Sequence, residues 1–207
     1  ASSADDNFQK EIINSIYYNL KHLIFIYKFH NEKLEMDLEV TKSLLLVSKY
    51  FNKHKFFYEI LNLINKQLKH QVNNIGFHKS INVNEHTKFI HQILEIKNIL
   101  LYNNIQITKE MDLQINEMTS VLKNLFHLDL TLALFNGTNN TKKEYAYQIA
   151  NLQKDIKTKN LYKIDDGIVV LNAGKTKIFF DITKPNSKLL NKKLHSGTLS
   201  FEMSHGG

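Results

Sequence analysis

The chain has 207 residues, of which 43% are hydrophobic and 11% aromatic, so it can bury a substantial core and is too apolar for wholesale disorder. It contains no cysteine, which excludes a disulfide framework and a thiol nucleophile. The net charge of +7 is compatible with an anionic partner, but the 27 basic residues are scattered among 20 acidic ones, and the composition is typical of an AT-rich genome. We therefore predict no nucleic-acid partner.

Targeting signals are not evident in the sequence. Charged residues and histidines such as Lys21, Lys28 and His30 break up the most apolar stretch, so no run is long enough to predict a membrane span. The sequence begins at Ala1 without a Met or a signal-peptide pattern, which fits a mature form, a trimmed form or a fragment. We expect a soluble protein, and both the cytoplasm and the periplasm remain open, as does the oligomeric state.

The first 75 residues contain neither Gly nor Pro, which predicts helices separated by short polar breaks. Asp5 or Asp6 is predicted to cap a first helix. Breaks near Asn31 and at residues 52–54 separate the second and third helices. The first helix has an apolar stripe at a spacing of three and four residues, formed by Phe8, Ile12, Ile16, Leu20, Leu23 and Tyr27.

Three further helices are predicted after a polar connection that opens at Gly76. The fourth helix carries apolar residues from Phe89 to Leu101, and the fifth is capped by Thr108 and has acidic residues in its first turn. The sixth helix covers residues 145–156. Because the links are short, successive helices should form antiparallel hairpins, as in a helical toroid or solenoid.

The hydrophobic period changes twice in the second half of the chain. Leu128, Leu130, Leu132 and Leu134 alternate with other residues, which predicts a short strand or an extended loop. Residues 168–182 (IVVLNAGKTKIFFDI) predict a hairpin, and residues 194–202 a further strand. The predicted domains are therefore a helical segment, 1–160, and the beginning of a β domain, 161–207.

Three stretches together resemble the heparinase II/III-like family. The first is residues 63–82, with LKHQV (68–72) followed by GFHKS (76–80), and the second is HLDLTLALFNG (127–137). The third combines YKI (162–164), AGKT (173–176) and HSGTLSFE (195–202). The resemblance implies a mainly α fold, in which an incomplete (α/α) toroid of antiparallel helical hairpins is followed by the first strands of an antiparallel β-sandwich. It is nearest to the alphaproteobacterial branch, where the β domain continues further, and so implies a truncated protein or a fragment.

The resemblance also implies chemistry. Family lyases cleave uronate-containing polysaccharides by β-elimination, which needs a base and stabilisation of an enolate-like charge. His195 matches a histidine that assists catalysis or binds a metal, and the alternative is a histidine at a strand start that satisfies a backbone partner. His78 matches a turn histidine that either positions the loop or contacts substrate. Other expected catalytic positions are substituted, and they hold Glu35-Met36, Glu85 and Lys193.

Three interpretations remain open at this point. The protein is a lyase-type enzyme, a non-catalytic relative that binds an acidic polysaccharide, or a basic helical interaction protein without the β domain. No cofactor is expected, because the histidines, including His86 and His91, show no recognised metal-ligand spacing, and zinc has weak support.

Overall fold

The computed structural model describes residues 5–30, 33–139, 143–152, 168–182 and 200–206. The chain divides into two compact units, Ala1–His70 and Gln71–Gly207. The boundary expected at residue 160 lies outside the described residues, so the division into 1–160 and 161–207 stays a prediction. Among the residues described, no helix has the length and apolar character needed to cross a membrane.

The first unit consists of α1 (Asp6–Phe29), a short 3-10 turn (Lys33–Glu35), α2 (Leu38–Tyr50) and most of α3 (His54–Gln71). Asp5 caps α1, as predicted, and its carboxylate accepts from the amide of Asn7. Buried Gln67 ties α3 to α2, because its carboxamide oxygen accepts from the Thr41 hydroxyl at 3.1 Å. Thr41 lies near the start of α2 and Gln67 near the end of α3, so this bond joins opposite ends of the two helices, as in an antiparallel hairpin.

The predicted apolar stripe of α1 is largely uncovered among the residues described. Tyr27 is buried and packs edge-to-face against Phe56 of α3, but Phe8, Ile12 and Ile16 are exposed. The helix itself is confirmed. The hydrophobic period of α1 indicates which residues share a face of the helix. It does not indicate whether another element packs on that face.

The second unit contains α4 (Val83–Tyr102), α5 (Lys109–Asn124) and α6 (Lys143–Leu152). Thr108 caps α5 through the Met111 amide, as predicted. The last part of α4 meets the first turn of α5 where Lys97 pairs with Asp112 at 2.7 Å. The first part of α4 meets the last half of α5 where His86 reaches the Met118 carbonyl, so the two helices are antiparallel.

A three-stranded antiparallel sheet follows in the order β1 (Ile168–Ala173), β2 (Thr176–Asp181) and β3 (Phe201–His205). The predicted hairpin is confirmed, and Gly174 in its turn has a φ of +58°. One face of the sheet is buried through Ile168, Val170 and Phe179, whereas Phe201 on the other face is exposed. The predicted fold class, mainly α with antiparallel strands at the end, is confirmed.

Residues 128–134 form a loop, which was the second of the two predicted alternatives. A single bridge joins Phe126 to Leu132, and Leu130 adopts a φ of +63°. This left-handed residue interrupts the alternation of side chains, so Leu132 is buried but Leu128 and Leu130 are exposed. A strand here was therefore the wrong alternative, although the apolar pattern suggested it.

Candidate functional site

The turn between α3 and α4 places His78 in the second unit. Gly76 has a φ of +87°, and Asn73 supports the turn by accepting from the Phe77 amide at 2.8 Å. A single bridge between Val72 and His78 closes the turn. The histidine is thus carried on a short, internally bonded segment that ends at Asn82, the cap of α4.

Both ring nitrogens of His78 have partners, one on this turn and one at the end of α3. Nδ1 lies 2.7 Å from the Ser80 hydroxyl and 3.2 Å from the Ser80 amide, which donates to it. Nε2 lies 3.4 Å from the carboxamide oxygen of Gln71, so the ring proton belongs on Nε2. These contacts fix the orientation of the His78 ring and give it a clear role in shaping the turn. Contact with substrate stays a prediction.

His86 lies beneath the turn and is fully buried. Its Nδ1 accepts from the His78 amide at 3.2 Å, and its Nε2 donates to the Met118 carbonyl at 3.0 Å. Burial, with a further contribution from His78, lowers the pKa of His86 to about 3. A neutral ring is needed here, because Nδ1 can accept a hydrogen bond only when it is unprotonated.

Met36 and Glu85, two of the positions that the resemblance predicts to be substituted, make ordinary structural contacts. Met36 is buried in the core of the first unit, and its carbonyl accepts from Gln67 at 3.0 Å. Glu85 stands in the first turn of α4, where its backbone amide donates to the Asn82 side chain. Glu35 is exposed. Lys193 and His195 lie outside the described residues.

A reciprocal pair of asparagines joins the first two resemblance stretches. The carboxamide of Asn82 donates to the Asn136 carbonyl at 2.6 Å, and the carboxamide of Asn136 donates to the Ile81 carbonyl at 3.1 Å. Thr138 adds a third link by accepting from the Val83 amide at 3.0 Å. Asn136 also begins an Asn-Gly-Thr acceptor sequence, but its buried and bonded nitrogen is not available for glycosylation in the folded protein.

Glu202 joins the second stretch to the third. Its two carboxylate oxygens accept from the Leu134 amide at 2.7 Å and contact His127 Nε2 at 2.8 Å. The His127 ring also packs edge-to-face on Phe179 of β2, with centroids 4.6 Å apart. Its Nδ1 is buried without a hydrogen-bond partner among the described residues, so Glu202 is the anchor of this ring.

Lys177 lies on the buried face of β2 beside this contact. Its Nζ donates to the Phe126 carbonyl at 2.5 Å and lies 5.0 Å from the centre of the Phe179 ring. Burial lowers the pKa of Lys177 to about 8. The amine therefore ties the sheet to the residue that precedes His127.

A cleft of about 510 Å³ opens beside these contacts. The loop side contributes residues 134–138, and the sheet side contributes Asp181, Ser200, Phe201 and Glu202. The Asp181 amide donates to the Ser200 carbonyl at 2.8 Å, which closes the sheet side. Among the residues that the structure describes, no group of three or more His, Asp or Glu side chains could hold a metal ion.

Removing the Glu202 carboxylate by Glu202→Ala should lower the free energy of unfolding by about 1–3 kcal/mol, because His127 would remain buried without its anchor. A matched control is Glu95→Ala, which disrupts a half-exposed pair with His91 and should cost less than about 1 kcal/mol. Urea denaturation of both variants measures the difference. Equal losses would contradict the assigned role of Glu202.

The sequence identified the three stretches but not the contacts that join them. His78 was expected on its turn, where it lies. The pairs Asn82–Asn136 and His127–Glu202 were not foreseen, because their partners are 54 and 75 residues apart. The sequence offers Asn82 as a helix cap, but it carries no signal for the contact with Asn136.

The fold resembles that of solved heparinase III structures. The match to "Crystal Structure of Heparinase III" has a TM-score of 0.67 and 12% identity, and covers 82% of this chain. The match to heparan sulfate lyase HepC from Pedobacter heparinus has a TM-score of 0.67 and 15% identity, and covers 97% of this chain. The match to another heparinase III has a TM-score of 0.67 and 18% identity, and covers 90% of this chain.

This chain spans about a third of those proteins, since it covers 33%, 35% and 33% of their respective lengths. No protein-family model and no curated protein sequence matches it. The predicted fold class is confirmed by the structural matches, and at this level of identity the likeness concerns the fold alone. The chain has a heparinase III-like fold.

Proposed function

We propose that this protein is a polysaccharide lyase of the heparinase II/III-like family, from its alphaproteobacterial branch, that cleaves an acidic, uronate-containing polysaccharide by β-elimination. The observation that carries the proposal is the fold match, which extends over 82% to 97% of the chain. The three stretches that carry the sequence resemblance also meet through Asn82–Asn136 and His127–Glu202. A net charge of +7 is compatible with an anionic polymer.

The reaction removes the proton next to the uronate carboxylate, breaks the neighbouring glycosidic C–O bond and leaves a carbon–carbon double bond. A base must take that proton, and an acid must protonate the leaving oxygen. We assign acid–base catalysis to His195. This assignment rests on the family resemblance, in which His195 matches a histidine that assists catalysis. His78 is proposed to contact the substrate from its turn.

The direct test is to incubate the full-length protein with heparan sulfate, heparin and alginate and to follow the unsaturated product by ultraviolet absorbance. We expect product from at least one of these polymers. His195→Ala should reduce kcat by about 100-fold or more, the usual contribution of a general acid or base. His91→Ala removes a half-exposed histidine from α4 and should retain full activity.

Absence of product from every polymer would remove the enzymatic proposal. Equal activity of the wild type and His195→Ala would remove the assignment of His195 alone. The two results can be told apart because the second requires an active wild type.

A second candidate function is binding of an acidic polysaccharide without cleavage. It is favoured by the ordinary structural roles of Met36 and Glu85 at positions where the family resemblance places catalytic groups. Binding to heparan sulfate or alginate that weakens with added salt, with no product formed, would support it. No binding at low salt would exclude it.

The strands β1, β2 and β3 weigh against a helical interaction protein that lacks a β domain. Such a protein would not need the buried contacts that join the sheet to residues 126–134.

A further inference from the structure

Ile81 adopts an unusual backbone conformation at the end of the His78 turn. Its φ is +53°, in the left-handed region that β-branched residues rarely enter. A strained residue of this kind persists only where surrounding contacts hold it in place. The buried Ile81 side chain is one restraint.

Asn136 supplies a restraint on the backbone of Ile81 itself. Its carboxamide nitrogen donates to the Ile81 carbonyl at 3.1 Å, while the Ile81 amide donates to the His78 carbonyl at 2.9 Å. Asn136 has a φ of +54°, which asparagine tolerates better than most residues. The strained residue is therefore held at both its amide and its carbonyl.

A short series of contacts carries this restraint to the His78 ring. The Asn82 amide donates to the Ser80 hydroxyl at 3.3 Å, and that hydroxyl lies 2.7 Å from His78 Nδ1. Asn82 is also tied to the Asn136 carbonyl at 2.6 Å. If Asn136 lost its carboxamide, Ile81 could relax, Asn82 would shift and Ser80 would release its hold on the ring.

We infer that Asn136 is a positioning residue, whose carboxamide keeps the Ile81–Asn82 backbone strained and thereby fixes the orientation and tautomer of His78. The inference rests on the proposed function, in which His78 contacts the polysaccharide. Asn136 also lines the cleft, so the same residue links the turn to the cleft wall.

The test variant is Asn136→Gly, because glycine accepts a φ of +54° and only the carboxamide is lost. Nitrogen-15 NMR of the histidine rings reports the tautomer directly. We expect the wild-type His78 to show one tautomer with the proton on Nε2, and the variant to show averaged ring signals. On the cleaved polymer, kcat/KM should fall on the order of 10-fold.

Asn104→Gly is the matched control, since exposed Asn104 has a φ of +56° and lies after α4, outside these contacts. It should leave the His78 signals unchanged. If Asn136→Gly does not fold, Asn136→Asp replaces it, because aspartate also tolerates a left-handed backbone but its carboxylate cannot donate to the Ile81 carbonyl. Unchanged His78 signals in the folded variant would overturn the inference, whether or not the wild type cleaves any polymer.

Discussion

Replacing Gly76 by alanine is expected to lower the free energy of unfolding by about 2–5 kcal/mol. A left-handed backbone costs an alanine about 1–2 kcal/mol, and Gly76 has a φ of +87°. The new methyl group would also lie 2.8 Å from the backbone carbon and the Cβ of Glu117 in α5. Overpacking of this kind typically costs 1–3 kcal/mol, because backbone atoms cannot move aside as a flexible side chain can.

The variant Gly174→Ala separates the effect of the left-handed backbone from the effect of the close contact with Glu117. Gly174 also has a positive φ, +58°, but no atom lies within 4 Å of the position its methyl group would take. The Gly174→Ala variant should therefore lose only the free energy that a left-handed alanine costs, about 1–2 kcal/mol. Urea denaturation of the two variants gives the comparison. Equal losses would show that the close approach of Gly76 to Glu117 does not matter for stability.

Much of the helical architecture was predictable because its signals are local. Asp5 and Thr108 are caps with side chains that accept from amides two or three residues later, and such chemistry can be recognised without knowing the fold. The β1–β2 hairpin was equally accessible, since Gly174 stands between two apolar runs. These elements depend on neighbours in the sequence.

The contacts of the candidate site were not predictable, because they join residues that are far apart in the sequence. Asn82 and Asn136 each look like turn residues, and nothing in either local sequence indicates that they bind one another. Residues 128–134 are a related case, because their alternating leucines favour a strand. The left-handed backbone of Leu130 interrupts that alternation, and the sequence does not indicate it. The stretches that form the site have local sequence signals, whereas the contacts between them depend on residues far apart in the chain.

Lowering the pH from 7 to 4 is expected to destabilise the wild type more than the variant His86→Gln, by about 3 kcal/mol. The pKa of His86 falls from an ordinary value of 6.5 to about 3, because burial disfavours the charged ring. Between these two values the unfolded chain binds a proton that the folded protein does not. Stability therefore rises with pH across this window and is lost as the pH falls, by about 1.4 kcal/mol per pH unit.

The glutamine variant removes the titrating group and can keep a donor for the Met118 carbonyl. It should cost about 1–3 kcal/mol at pH 7, because the His78 amide loses its acceptor. The two proteins share every other ionisable residue, so the difference between them isolates His86. Urea denaturation at pH 7 and pH 4 measures that difference. Parallel losses of stability in the two proteins would mean that His86 is not held neutral beneath the His78 turn.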